Sequence, residues 1–100
     1  MREYDEVGVI NILGEQWSYG YGDAGKTRGR PDDGCCSYAR NRIIINPKHT
    51  SPLLDVVAHE VAHAFFPTTR EKVIEAVGNA INEVHDNLSS FQPSRHGRLG

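Results

Sequence analysis

Residues 53–67, with the sequence LLDVVAHEVAHAFFP, decide how this chain folds. Their apolar side chains recur at helical spacing, so the segment predicts an amphipathic helix with one face against a core. Thr50 or Ser51 can cap its start. Because Pro67 cannot continue a helix, we expect the helix to end at Phe66.

A second segment with apolar residues at helical spacing follows directly after the first. Thr68 to Glu71 has the Thr-x-x-Glu pattern of a capping box, which typically starts a helix. The apolar stripe of that helix consists of Val73, Val77, Ala80, Ile81, Val84 and Leu88. Since the turn between the two helices is short, we expect them to form an antiparallel hairpin.

Strands are expected before the helices. Residues 7–13 alternate and are rich in β-branched side chains, and Gly14-Glu15 offers a tight turn into a second, antiparallel strand at residues 16–19. Residues 42–46, RIIIN, predict a third strand. The region between the second and third strands, residues 20–36, is polar and rich in glycine, which indicates a long loop.

The predicted fold class is therefore α+β. A three-stranded, antiparallel-type sheet packs on the helix of residues 53–66, and a second antiparallel helix follows. We expect residues 1–88 to form a single domain, since 100 residues support only one. Residues 89–100 are polar and without period, and are expected to form a flexible tail.

Composition restricts the classes of function. Apolar residues make up 38% and charged residues 24%, which are values of a globular domain. A net charge of −2 gives no indication of nucleic acid or a membrane as partner, and no apolar run approaches the roughly 20 residues that span a bilayer. The acidic start lacks a secretory signal, and Cys35 and Cys36 are adjacent with no second pair. These features predict a reduced, cytoplasmic protein, and they leave its oligomeric state open.

The first helix contains the pattern HExxH at residues 59–63. Residues four apart share one helix face, so the imidazoles of His59 and His63 can chelate one Zn²⁺. Glu60 is rotated by about 100° from His59, and from there it can reach a zinc-bound water without being a ligand. It can then act as the general base when that water attacks a carbonyl, and later pass the proton to the leaving amine.

A catalytic zinc needs a third protein ligand. The pattern HExxHxxGxxH is excluded, because Phe66 and Thr69 stand where it requires Gly and His. Of the remaining candidates, Glu83 lies roughly 24 Å along the second helix, too far from the histidines across a hairpin. Glu71 lies at the edge of the apolar stripe and Glu75 nearly opposite it. We therefore predict Glu71 as the ligand, with Glu75 as the open alternative.

These segments resemble the short bacterial and phage zincin-like metallopeptidases, in particular minimal gluzincins and the ImmA/IrrE-type metallopeptidase domain. The likeness covers about residues 34–84 and is carried by the strand at 42–46, the HExxH helix and Glu71. It implies a small sheet over the active helix, with residues 42–46 as the edge strand to which an extended peptide can add. It also implies a zinc-dependent peptidase that acts on a peptide or protein substrate, with Glu60 as its general base.

Three features of the sequence allow alternative interpretations. The same scaffold could serve as a non-catalytic peptide-binding module, with or without structural zinc. Residues 20–27 match the P-loop pattern GxxxxGK[ST], but they lack the buried strand before and the helix after that nucleotide binding requires. An oxyanion donor could be Tyr38, Arg42 or His85, and the sequence does not choose among them.

Overall fold

The computed structural model describes residues 4–91. Strands and helices follow one another as β1 (Tyr4–Ile12), β2 (Glu15–Gly22), β3 (Lys26–Thr27), β4 (Arg30–Pro31), β5 (Gly34–Ser37), β6 (Arg42–Ile45), α1 (Leu53–Phe65) and α2 (Glu71–Ser90). The strands thus come first and the helices last, which confirms the α+β class. Neither helix in this part of the chain has both the length and the apolar character that crossing a membrane requires.

The main sheet has four strands in the order β1-β2-β6-β5. β1 pairs with β2 and β5 with β6 in antiparallel fashion, whereas β2 and β6 are parallel. The prediction of a three-stranded antiparallel sheet is therefore wrong. The strand that the prediction lacks is β5, whose sequence GCCS contains no β-branched residue and therefore has low strand propensity. Its hydrogen bonds to β6 outweigh that low propensity.

The additional strand also changes which strand forms the edge of the sheet. β6 lies between β2 and β5, so the prediction that residues 42–46 line the cleft as an edge strand is wrong, and β5 takes that position. Residues 26–31 form a separate small hairpin, β3–β4, within the region predicted as a loop. Because β3 follows Gly25 directly, the P-loop pattern opens no helix.

The hairpin that joins β1 and β2 turns one residue earlier than predicted. Leu13 and Gly14 form the turn with φ angles of 51° and 90°, and Ile12 pairs with Glu15. Two consecutive positive φ angles match the right-handed twist of the flanking strands. Glycine adopts such an angle without strain, which explains why Gly14 occupies the second position.

The core lies between the sheet and α1. Its buried members are Ile12, Trp17, Ile43, Ile45, Val56 and Ala64. The predicted side-chain cap of α1 is wrong, because Pro52 is the capping residue and no side chain caps the helix. The backbone N–H groups of Thr50 and Ser51 donate instead to the carboxylate of Asp33, at 2.9 and 3.1 Å. This contact fixes the start of α1 beside the start of β5.

The capping box predicted for α2 is wrong as well. The helix begins at Glu71 with Arg70 as its capping residue and no side-chain cap. Its buried residues are Ile74 and Gly78, neither of which is in the predicted stripe, and the stripe members Val73 and Leu88 are 50% and 71% exposed, so the predicted stripe is wrong in part. For Leu88 the physical reason is length, since α2 has 20 residues and α1 only 13. α2 includes Ser89 and Ser90 of the expected tail, and residues 92–100 lie outside the described residues.

Candidate metal centre

Three predicted metal ligands meet where the two helices face each other. The Nε2 atoms of His59 and His63, one turn apart on α1, are 3.2 Å from each other. Glu71, the first residue of α2, places Oε2 2.9 Å from Nε2 of His59 and Oε1 2.8 Å from Nε2 of His63. The structure thus brings Glu71 to the histidines, rather than the alternative Glu75 or Glu83.

The connection between the helices explains this placement. The N–H of Phe66 donates to the carbonyl of Ala62, and the N–H of Thr69 donates to the carbonyl of Phe66, which closes a tight turn. α2 therefore starts directly beside the last turn of α1. Because the carboxylate of Glu71 forms no capping box, it is free to contact the two imidazoles.

The three donor atoms fit a divalent metal ion. They all lie within 4.8 Å of one another, so His59, His63 and Glu71 could hold such an ion. In a tetrahedral zinc site with bonds of about 2.1 Å, neighbouring donors are about 3.4 Å apart. The separations of 2.8–3.2 Å need only a few tenths of an ångström of expansion. Two imidazole nitrogens with one carboxylate oxygen form a donor set that suits zinc.

Glu60 is a buried carboxylate beside this group. Its residue is only 6% exposed, and this burial raises the pKa of its carboxyl to about 7. The nearby Cys36 thiol opposes this rise in the pKa, and the negative charges of Glu71 and Asp32 add to it. A carboxyl with a pKa near neutrality can both accept and donate a proton. A bound cation would lower that pKa again, because it favours the charged form.

β5 holds Glu60 in place from the sheet side. A Cβ atom at Gly34 would lie 2.9 Å from Cγ of Glu60 and 3.0 Å from Cγ1 of Val56, so only glycine allows this approach. The thiol of Cys36 donates to the backbone carbonyl of Glu60 at 3.0 Å. Burial raises the pKa of that thiol, which keeps it protonated and able to donate. Both contacts come from a strand within the region that the sequence predicts as a loop.

The donor group opens into a cleft with a volume of about 950 Å³. β5, α1 and the first half of α2 form its walls, and Thr27 of the small hairpin reaches its rim. Of the three oxyanion candidates, Tyr38 lines the cleft and its hydroxyl donates to the carbonyl of His63 at 3.0 Å. Arg42 lies over the ring of Tyr4, away from the cleft, and His85 is an exposed neighbour of Asp86.

Sequence reasoning missed the contributions of residues 32–36 to the site. Asp32, Asp33 and Gly34 line a cleft with the HExxH helix, whereas the polar, glycine-rich composition of residues 20–36 indicates only a loop. The signal that could have indicated a further strand is the run of Ile residues at 43–45, because a continuous apolar run is typical of a strand inside a sheet that is covered on both faces.

Comparisons with family models, with curated proteins and with solved structures found no match to this chain. The features of this chain that indicate a function are the positions of His59, Glu60, His63 and Glu71.

Proposed function

We propose that this protein is a small zinc-dependent metallopeptidase with a zincin-like site. The observation that supports the proposal is the convergence of His59, His63 and Glu71 on one point, with the buried carboxylate of Glu60 beside them. Among residues 4–91 these three are the only such group. Three protein ligands leave a coordination position open, as in catalytic rather than structural zinc sites.

Each group at the metal centre has one role in the proposed hydrolysis. Zinc would lower the pKa of water and polarise the carbonyl of the substrate. Glu60 accepts the proton of the attacking water and then delivers it to the leaving amine. Tyr38 is the candidate oxyanion donor that lines the cleft, and in this role its hydroxyl exchanges the hydrogen bond to the carbonyl of His63 for one to the substrate carbonyl oxygen as negative charge develops there.

A peptide or protein is the proposed substrate. Gly34, Cys35 and Cys36 of β5 line the cleft, and among residues 4–91 no strand pairs with the outer edge of β5. An extended peptide can add to such an edge through backbone hydrogen bonds, which would lay it across the metal centre. The two thiols are free, which supports the proposal that the protein works in the reducing cytoplasm.

The first test is metal content, measured by mass spectrometry after zinc loading and removal of excess zinc. We expect about one zinc per chain in the wild type, lost in His59→Ala and in Glu71→Ala. Glu75→Ala is the matched control, because it removes the same side chain one helical turn further along α2 and should retain zinc. Loss of zinc in Glu75→Ala but not in Glu71→Ala would overturn the assigned ligand set.

The second part of the test separates a peptidase from a binding module. Glu60→Gln should retain zinc and lose hydrolysis of a peptide library by about 10²-fold or more, since it removes the proton acceptor. Cleavage is followed by mass spectrometry of the products. If Glu60→Gln cleaves peptides as fast as the wild type, Glu60 is not the general base. A zinc-loaded wild type that binds peptides but cleaves none would favour the non-catalytic peptide-binding module.

A further inference from the structure

The apolar stripe of α2 continues past the metal centre with the spacing of a coiled coil. Four residues follow one another at intervals of four, three and four, and we call them the α2 seam: Val77, Ile81, Val84 and Leu88. In the heptad abcdefg, the isoleucine and the leucine take position a and the two valines take position d. A seam with this spacing fits a second helix that has the same spacing.

The α2 seam is open to solvent in the single chain. Ile81, Val84 and Leu88 are 43%, 58% and 71% exposed, and Phe91, which directly follows α2, is 65% exposed. α1 lies against a neighbouring face of the helix, which carries the buried Gly78. A contiguous exposed apolar patch of this kind marks a surface for association.

The positions that flank the α2 seam indicate which partner fits it. Ala80 and Asn87 occupy the g positions on one side, and Gly78 and His85 occupy the e positions on the other, so none of the four is Asp, Glu, Lys or Arg. The acidic residues of this part of α2 lie at positions b, c and f, away from the seam, and they are Glu75, Glu83 and Asp86. Because charges at e and g select partners in coiled coils, two copies of this helix can pair without like-charge repulsion.

The α2 seam also complements itself in size. A two-fold axis between residues 82 and 83 places Val77 against Leu88 of the second copy and Ile81 against Val84 of the second copy, and the axis repeats both contacts. Every layer of this antiparallel pair then combines a valine with a four-carbon side chain, so the layers have equal volume. A parallel pair would instead place each residue against itself, with large and small layers in alternation.

We propose that the α2 seam docks on the same seam of a second copy, so that the protein forms a two-fold symmetric, antiparallel dimer. None of the four seam residues lines the cleft, and the dimer therefore leaves both metal centres open. Since only about three helical turns and Phe91 take part, the buried area lies near the lower limit of about 1,000 Å² for a specific interface.

An interface of this size gives a weak dimer, and we expect a Kd of roughly 10–100 µM. At about 1 µM the chain is then monomeric, and unfolding measured at that concentration reports on the single chain. The dimer forms as the protein concentration rises.

Sedimentation velocity of the full chain between about 1 and 500 µM measures this equilibrium. We expect the average mass to rise from that of a monomer toward that of a dimer. Val84→Glu should raise the Kd by about tenfold or more, because the dimer would bury the new carboxylate twice. Val7→Glu is the matched control, since it makes the same change at a valine of β1 that is 64% exposed, and it should leave the Kd unchanged. Both valines are exposed, so both variants should fold.

Two double variants test the direction of the helices. In the antiparallel register residue 80 lies beside residue 87 of the second copy. Ala80→Glu/Asn87→Lys therefore adds two contacts between opposite charges, whereas Ala80→Glu/Asn87→Glu adds two contacts between like charges. We expect the Kd of the first to be about fivefold or more lower than that of the second. In a parallel pair these residues do not meet, and the two Kd values would be similar.

Three results would contradict the proposal. A wild type that stays monomeric over the whole range would overturn it and leave the α2 seam to a segment of the same chain or to a different protein. A dimer that Val7→Glu disrupts and Val84→Glu does not would place the contact on β1. Similar Kd values for the two double variants would overturn the antiparallel arrangement.

Discussion

The two halves of α2 have the same apolar period but very different surroundings. Residues 71–78 face α1 across the metal centre and bury Ile74 completely, with 0% of its surface exposed. Residues 81–91 continue the stripe with Ile81, Val84 and Leu88, and these side chains are 43–71% exposed. We call β5, α1 and residues 71–78 the cleft side of the molecule, and the largely exposed residues 4–11 of β1 and residues 81–91 of the chain its outer regions.

The difference shows what an apolar period does and does not predict. It identifies a helix, because side chains at positions three and four apart share a face. It does not identify what covers that face, which depends on the length of the neighbouring element. α1 has 13 residues against 20 in α2, so the last turns of α2 extend beyond it. Within residues 4–91, close packing is concentrated on the cleft side.

The largest expected effect compares Ile74 with Leu88. Ile74→Ala should lower the free energy of unfolding by about 2–5 kcal/mol, because it leaves a cavity in a fully buried site. Leu88→Ala should change it by about 0.5 kcal/mol or less, since its side chain is 71% exposed. Urea denaturation followed by the fluorescence of Trp17, the single tryptophan, measures both. A similar cost for the two variants would mean that a partner covers the outer half of α2 in solution.

The cleft side also shows how far the sequence predicts the site. The spacing of His59 and His63 places two imidazoles on one helix face, and this follows from helix geometry alone. Glu71 could be favoured over Glu83 because, after a short turn between the helices, only residues near the start of α2 lie close to the two histidines. The start of α2 decides between a capping role and a ligand role for Glu71, and sequence patterns do not locate a helix boundary to the single residue.

The sheet could be predicted less completely than the helices. The β1–β2 hairpin was predictable since its apolar alternation and its glycine turn are local signals. β5 and its pairing with β6 are not local. The GCCS sequence of β5 has little strand propensity, and only the neighbouring β6 and the helix face above it give it a structure. Sequence patterns therefore fail to predict the conformation of residues, such as those of β5, whose structure depends on partners distant in the sequence.

A smaller effect compares two strand glycines, one on the cleft side and one in an outer region. Gly34→Ala should cost about 1–3 kcal/mol, because its Cβ would press on Cγ of Glu60 and on Val56 in a packed site. In Gly8→Ala the new Cβ would meet the end of the Tyr19 side chain. That side chain is 38% exposed and can swing away, so we expect a change of about 0.5 kcal/mol or less.

Urea denaturation again measures the two glycine variants, and zinc content after loading serves as the control for the metal centre. Gly34→Ala should still bind zinc, since Gly34 contacts Glu60 and not the three ligands. An unchanged stability of Gly34→Ala would show that β5 lies further from α1 than the structure places it.

The smallest effect concerns Asp33, whose carboxylate ties the start of α1 to the start of β5. Hydrogen bonds from the backbone N–H groups of Thr50 and Ser51 hold the pKa of this carboxyl below its usual value of 3.8, although partial burial opposes them. Asp33→Asn should cost about 1 kcal/mol at pH 7, because a neutral amide oxygen accepts these bonds less strongly. Asp86→Asn, on the exposed part of α2, is the matched control and should cost less.

The pH dependence of this difference identifies its cause. A carboxyl whose pKa is lowered in the folded state contributes stability that is complete above the unfolded pKa and is lost as the pH falls through the folded pKa. The gap in unfolding free energy between the wild type and Asp33→Asn should therefore stay constant above about pH 5 and shrink below about pH 4, as Asp33 becomes protonated. Urea denaturation between pH 3 and pH 7 tests this. A gap that persists unchanged at pH 3 would mean that the Asp33→Asn substitution perturbs the loop by its shape, and that the charge of Asp33 does not hold α1 and β5 together.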